Sequence, residues 1–167
     1  VSRPPPLLSI PARAVATAGG AGYSPLAPGT CGTVVAVPLA WLASGLPLWA
    51  FIGVTCAITV VGIGAAEVAD RAWGTHDSGR IVIDEVAGYF VTLCFVDPTR
   101  WSHLLLGFVL FRLFDILKPP PVRWIDRNTP GGAGVVLDDV VAGLQAGLVL
   151  LAVAQTSLPA RIDALLA

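Results

Sequence analysis

Charge is what this sequence has least of. Its 167 residues include ten Lys and Arg, only one of them lysine, against eleven Asp and Glu. None of these lies between Arg13 and Glu67. Soluble domains seldom carry 53 consecutive uncharged residues, and with 55% hydrophobic composition and a mean hydropathy of +0.78 this predicts contact with lipid. A net charge of −1 gives no electrostatic footprint for nucleic acid. The two histidines, His76 and His103, have no His or Cys at metal-ligand spacing and read as ordinary surface or interface residues. Cys31, Cys56 and Cys94 lack C-x-x-C spacing, which argues against disulfides and thiolate zinc sites and for small buried hydrophobes in a reducing compartment. The N-terminus lacks the pattern of a secretory signal.

The length suits one domain with its own core. Residues 1–22, rich in Pro, Ala and Gly, read as a flexible N-terminal segment, 23–155 as a helical domain and 156–167 as a short amphipathic tail. Thr30 or Thr33 is expected to cap a helix running to about Ala43, which Ser44-Gly45-Leu46-Pro47 breaks. A second apolar run spans 48–66, and a polar loop covers 67–80. The β-branched stretch 81–96 leaves helix and strand both open. Residues 101–118 read as a helix stopped by three prolines. A glycine loop at 131–134 precedes the last long helix, about 136–154.

If 34–66 and 81–118 are two helical hairpins, residues 1–30, 67–84 and 112–139 emerge on one side. That side then holds nearly every arginine and the lysine, as a cytoplasmic face does. Several runs are shorter than the ~20 residues of a full span. Shallow or re-entrant insertion is therefore the alternative to a spanning bundle.

What charge there is concentrates in FRLFDILKPPPVRWIDRNTPGGAGVVLDD, residues 111–139, which holds eight of the 21 charged side chains. Unpaired ions in apolar surroundings cost several kcal/mol each, so these groups must be paired, solvated or holding a metal. Asp84-Glu85, Asp115 and Asp138-Asp139 bring carboxylates from three segments to the same inferred side, a donor set for a hard divalent cation such as Mg²⁺. Arg112, Lys118 and Arg123 could then neutralise phosphate oxygens. The bland readings are helix-dipole complementation at 84–85, an i,i+3 ion-pair ladder at 112–118 and a helix cap at 138–139. The PGTCGT turn, residues 28–33, offers amides and hydroxyls for an anion.

Cys94-x5-Arg100 matches the spacing of thiol phosphatases. Its loop, however, contains Asp97, which repels phosphate, and Pro98, which has no N–H.

The blocks LAPGTCGT, IVIDEVAG, FRLFDILKPPPVRWIDR and GGAGVVLDDVVAG, in this order from about Ser24 to Gly143, resemble the phosphatidylglycerophosphatase A family. The resemblance implies a multihelical, all-α fold, here a membrane-embedded bundle of about five apolar helices with a polar catalytic face. It also implies a Mg²⁺-dependent phosphatase of the bacterial inner membrane, converting phosphatidylglycerophosphate to phosphatidylglycerol and inorganic phosphate. Carried over to this chain are Thr30, Asp84, Glu85, Arg112, Asp115, Lys118, Asp138 and Asp139. Asp84, Glu85, Asp115, Asp138 and Asp139 are then expected to ligate metal. Thr30, Asp84, Arg112, Asp115 and Lys118 are expected to act in catalysis, and Thr33, Arg112, Lys118 and Arg123 to hold the phospholipid substrate. A non-enzymatic alternative is a small membrane protein that binds or conducts divalent cations. It accounts for the carboxylates but not for the three cations beside them. The D-G…A-R pattern of CDP-alcohol phosphatidyltransferases, the other metal-using aspartate class, does not occur.

Overall fold

Proline and glycine turns cut the apolar sequence into segments, and each segment is a helix in the computed structural model, which describes residues 6–166. The helices are α1 (Pro6–Ala16), α2 (Pro28–Ala43), α3 (Leu48–Trp73), α4 (Ile83–Leu93), α5 (Trp101–Leu117), α6 (Val122–Asn128), α7 (Gly131–Ala154) and α8 (Leu158–Leu166). No strand occurs among the described residues, so the fold is all-α as expected.

Helix α4 is the axis of the bundle, with α2, α3, α5 and α7 packed around it. Every residue from Val86 to Leu93 is buried. Phe90 stacks on Phe51 of α3 at 5.4 Å, and the Tyr89 hydroxyl donates to the Leu104 carbonyl at 2.9 Å. The β-branched residues of 81–96, which left strand and helix both open, pack here inside a helix buried from Val86 to Leu93. The outer helices turn apolar side chains outward instead. Leu48, Trp49, Val60 and Val61 of α3 are exposed, as are Val34, Leu39 and Leu42 of α2. Helices α3 and α7, of 26 and 24 residues, are each long and apolar enough to cross a membrane. Apolar side chains facing outward on such helices suit lipid rather than water. The protein is a membrane-associated helical bundle.

The chain alternates between the two ends of this bundle. The turn between α2 and α3 (Ser44, Leu46) shares one end with the α4–α5 turn (Phe95–Pro98). The start of α2, the loop after α3, and the segment from the end of α5 to the start of α7 meet at the other. The two-hairpin arrangement expected from charge asymmetry has this same sidedness.

Four local expectations need correction. Helix α2 begins at Pro28, so Thr30 and Thr33 lie inside it rather than capping it; the N-cap is Ala27, in the left-handed region. Helix α3 runs on to Trp73, where Gly74 ends it with a positive φ. The glycines 131–134 are the first turn of α7, not a loop. Residues 6–16, within the stretch expected to be flexible, form α1 packed on α3, with Ala16 fully buried; residues 1–5 lie outside the described residues. The C-terminal tail forms α8, tied to the bundle by an Arg100–Asp163 ion pair at 2.6 Å.

Candidate active site

A cleft of about 430 Å³ opens where the start of α2, the loop after α3 and the α5–α7 segment converge. Asp77, Asp84, Glu85, Arg112, Asp115, Lys118, Asp126, Asp138 and Asp139 all line it, nine charged side chains in one recess of a charge-poor protein.

Helix crossing brings the carboxylates together. Asp84 and Glu85 occupy the first turn of α4, whose start is pinned by Val82 donating to the Ala16 carbonyl at 2.8 Å. Asp138 and Asp139 lie two turns into α7. The two helices touch backbone to backbone at Gly88 and Gly143. A Cβ on Gly143 would run into the Gly88 carbonyl, and one on Gly88 into the Asp139 carbonyl and the Phe111 ring. Small residues at a crossing let helices approach this closely. Gly88 is one turn beyond Asp84, and Gly143 one turn beyond Asp139, so the crossing sets the carboxylates side by side.

One carboxylate oxygen from each of Asp84, Glu85 and Asp139 can be chosen so that all lie within 4.8 Å of one another. Asp84 Oδ1, Glu85 Oε2, Asp138 Oδ1 and Asp139 Oδ2 are buried and have no hydrogen-bond partner among the described residues. Buried polar atoms are nearly always satisfied, so several orphaned oxygens at one point mark a place for a cation. An all-oxygen donor set fits a hard divalent ion. Asp115 adjoins Asp139 and is paired with Arg112 at 2.6 Å. The same arginine nitrogen lies 3.6 Å from Glu85.

Lys118 bridges two segments, donating to Asp126 at 2.6 Å and to Asp138 at 2.7 Å. Burial opposes its ammonium, but these two carboxylates outweigh that and hold its pKa above the usual lysine value. Its backbone sits in the left-handed region, φ 43°, uncommon for a residue with a side chain and frequent at functional sites.

The cleft's second wall is α2. A Cβ on Gly29 would collide with Glu85 Oε1 and crowd Arg112. A side chain there would have to displace the Glu85 carboxylate, so glycine lets the PGT turn close on the acidic cluster as it stands. The turn's hydroxyls do not join the site. Thr33 is fully buried and donates to the Gly29 carbonyl of its own helix at 3.1 Å. Thr30 is half-buried and is not among the cleft-lining residues. Arg123 is exposed outside the cleft, with its guanidinium against the Leu117 carbonyl at 3.5 Å.

Three contributors were not singled out in the sequence. Asp126 was in view, as the last acid of FRLFDILKPPPVRWIDR, but α6, the short helix that turns it back to Lys118, was not expected. Glu67 accepts the Gly132 N–H at 2.7 Å and so caps α7, a pairing across 65 positions that no local pattern reveals. Buried Asp70 accepts from Thr75 and from the amides of Asp77 and Ser78, shaping the loop that brings His76–Gly79 to the cleft. His76, read as ordinary, is thus at the rim.

Cys94 sits at the opposite end of the bundle. Its thiol lies against the Phe90 carbonyl at 3.4 Å and Thr55 at 3.6 Å. Asp97 already accepts the amide and hydroxyl of Thr99, which hold its carboxyl below the usual range, so the loop offers an anion rather than a phosphate cradle.

Known proteins similar to this chain share one family. The family model described as phosphatidylglycerophosphatase A matches residues 14–154. The phosphatidylglycerophosphatase A of Escherichia coli K12 is 38% identical over 137 residues, covering 82% of this chain and 80% of that protein. That of Haemophilus influenzae is 35% identical over 144 residues, covering 86% and 88%. A Bacteroides thetaiotaomicron protein named putative phosphatidylinositol-3-phosphatase is 41% identical over 149 residues, covering 84% and 91%. No solved structure matches the chain.

Proposed function

The chain belongs to the phosphatidylglycerophosphatase A family and is a phosphatase, and from that membership and the cleft we propose that it is a Mg²⁺-dependent lipid phosphomonoesterase. Its substrate is phosphatidylglycerophosphate, which water cleaves at the terminal phosphoester bond to phosphatidylglycerol and inorganic phosphate. The observation that carries this reading is the set of orphaned oxygens on Asp84, Glu85 and Asp139, grouped beside Arg112 and Lys118.

Asp84, Glu85 and Asp139 would hold the ion, with Asp115 and Asp138 adjoining. When bound, Mg²⁺ supplies electrostatic polarisation of the phosphomonoester and lowers the pKa of an attacking water. The chain's own cations have a separate role. Arg112, held by Asp115, and Lys118, held by Asp126 and Asp138, both line the recess. Both are already ordered before substrate arrives, so neutralising the phosphoryl oxygens needs little rearrangement. Gly29 keeps the α2 wall close and limits the space beside Glu85. The acyl chains stay in the bilayer, which avoids extracting them at ~0.8 kcal/mol per CH₂. The cleft then faces the cytoplasmic leaflet of a bacterial inner membrane, the side rich in arginine. The cation-conducting alternative leaves Arg112 and Lys118 unexplained, and family membership sets it aside.

The name of the Bacteroides relative makes a phosphoinositide the informative competitor. Purified protein given short-chain phosphatidylglycerophosphate or phosphatidylinositol 3-phosphate should release phosphate at a higher kcat/KM from the former. Preference for the phosphoinositide would reassign the headgroup while leaving the phosphatase intact.

A further inference from the structure

Helix α6 does more than carry Asp126. At about 100° per residue, its side chains divide cleanly. Val122 is fully buried, Ile125 half-buried, and Asp126 faces Lys118 in the cleft. Arg123, Arg127 and Trp124 fall within an arc of roughly 100° on the outer side. All three are exposed, Trp124 by 66%. Neither arginine enters an ion pair among the described residues, although the protein has eleven acids. The helix is nonetheless firmly seated. Val122 is fully buried, and the Pro120 carbonyl just before the helix accepts from Gln145 of α7 at 2.9 Å. A large aromatic held outward between two unpaired cations serves no packing purpose within the bundle.

What lies beside it indicates its partner. Trp101, Leu105, Val109, Leu113, Ile116 and Leu117 recur at helical spacing along α5, each between 47% and 67% exposed. From Trp101 to Leu117 the stripe is about 24 Å long at 1.5 Å per residue, close to the hydrocarbon depth of a bilayer, ~30 Å. Its far end is marked by Trp101 stacked on Trp41, ring centroids 5.9 Å apart. Its cleft end meets α6, where Arg123 touches the Leu117 carbonyl. Tryptophan and arginine at both limits of an apolar stripe are the pattern of a membrane-crossing face with its headgroup boundaries. Arg100 beside Trp101 is paired with Asp163, whereas Arg123 and Arg127 at the cleft end are in no ion pair among the described residues. Unpaired arginines at such a boundary complement anionic lipid, each strengthening attraction by on the order of five-fold.

We propose that α6 is an interfacial anchor: Arg123, Trp124 and Arg127 seat on anionic lipid headgroups at the end of the α5 stripe and fix the depth of the cleft. The anchor does not depend on which reaction the cleft performs, and its test need not read activity. In nanodiscs, the Trp124 signal is the difference between wild type and Trp124→Phe. Lipids brominated near the carbonyl should quench it more than lipids brominated deep in the chain. At equal mole fraction, brominated phosphatidylglycerol should quench it more than brominated phosphatidylcholine. That preference should fall several-fold with added salt, and in Arg123→Gln/Arg127→Gln at any salt. Quenching absent at every depth, equal for both headgroups, or unchanged in the double variant would overturn the anchor. So would loss of turnover on a monomeric short-chain substrate in a double variant that keeps its lipid preference, since the arginines would then be serving substrate.

Discussion

Asp139 stands at the meeting point of the site: it shares the oxygen cluster with Asp84 and Glu85 and adjoins Asp115. Asp139→Asn keeps shape and removes charge, so it should cut phosphate release by at least ~10²-fold while circular dichroism stays unchanged. Thr33→Val should cost only a few-fold, because that hydroxyl is spent inside its own helix. Comparable losses in the two variants would mean that the α2 turn, not the acidic cluster, holds the phosphate. The carboxylates were legible in the sequence because ionised groups in apolar segments demand a reason. The threonines misled because a Gly-Thr turn has the same appearance whether the helix begins before it or after it. Glu67 was invisible for a different reason: its value lies in an amide 65 positions away.

Among the elements, the α4–α7 crossing decides whether a metal can be held. Gly143→Ala places a methyl against the Gly88 carbonyl and should lower stability by about 1–3 kcal/mol. It should also raise the Mg²⁺ concentration needed for half-maximal activity. Gly53→Ala is the control, since that glycine lies inside α3 with open space around it; Ala should be neutral or stabilising by up to ~1 kcal/mol. Thermal melts in detergent, with and without Mg²⁺, separate the two. If Gly143→Ala melts and titrates like wild type, the close crossing is not what assembles the cluster. Most helices could be read from hydropathy and from proline and glycine punctuation. Helix ends could not, since Pro28 and Gly131 act as first residues of helices whose caps lie in Ala27 and Pro130. Helix α6 was hidden by its length: seven residues beside a proline run give too little periodicity to register.

For the whole molecule, the account requires that one end carry the chemistry and the other only turns. Arg13, Arg80 and Arg123 belong to the first end and Arg100 to the second. Single cysteines at these positions, in a background lacking Cys31, Cys56 and Cys94, should label from two sides of sealed vesicles accordingly. Positions 80 and 123 labelling from opposite sides would break the arrangement. The background itself is informative: Cys94→Ser should leave turnover within a few-fold of wild type, as expected of a thiol engaged with Phe90 and Thr55 far from the cleft. Which end of the bundle gathers the charged segments was legible from the asymmetry of a few charges alone, whereas the packing of α2, α3, α5 and α7 around α4 was not.

The most direct measurement is phosphate release from phosphatidylglycerophosphate by the purified protein under metal control. Seven carboxylates and two cations in one recess leave negative charge in excess, and the account assigns that excess to a divalent ion. Excess EDTA should abolish release, and added Mg²⁺ should restore it in wild type but not in Asp139→Asn. Full activity in excess EDTA would contradict the central claim.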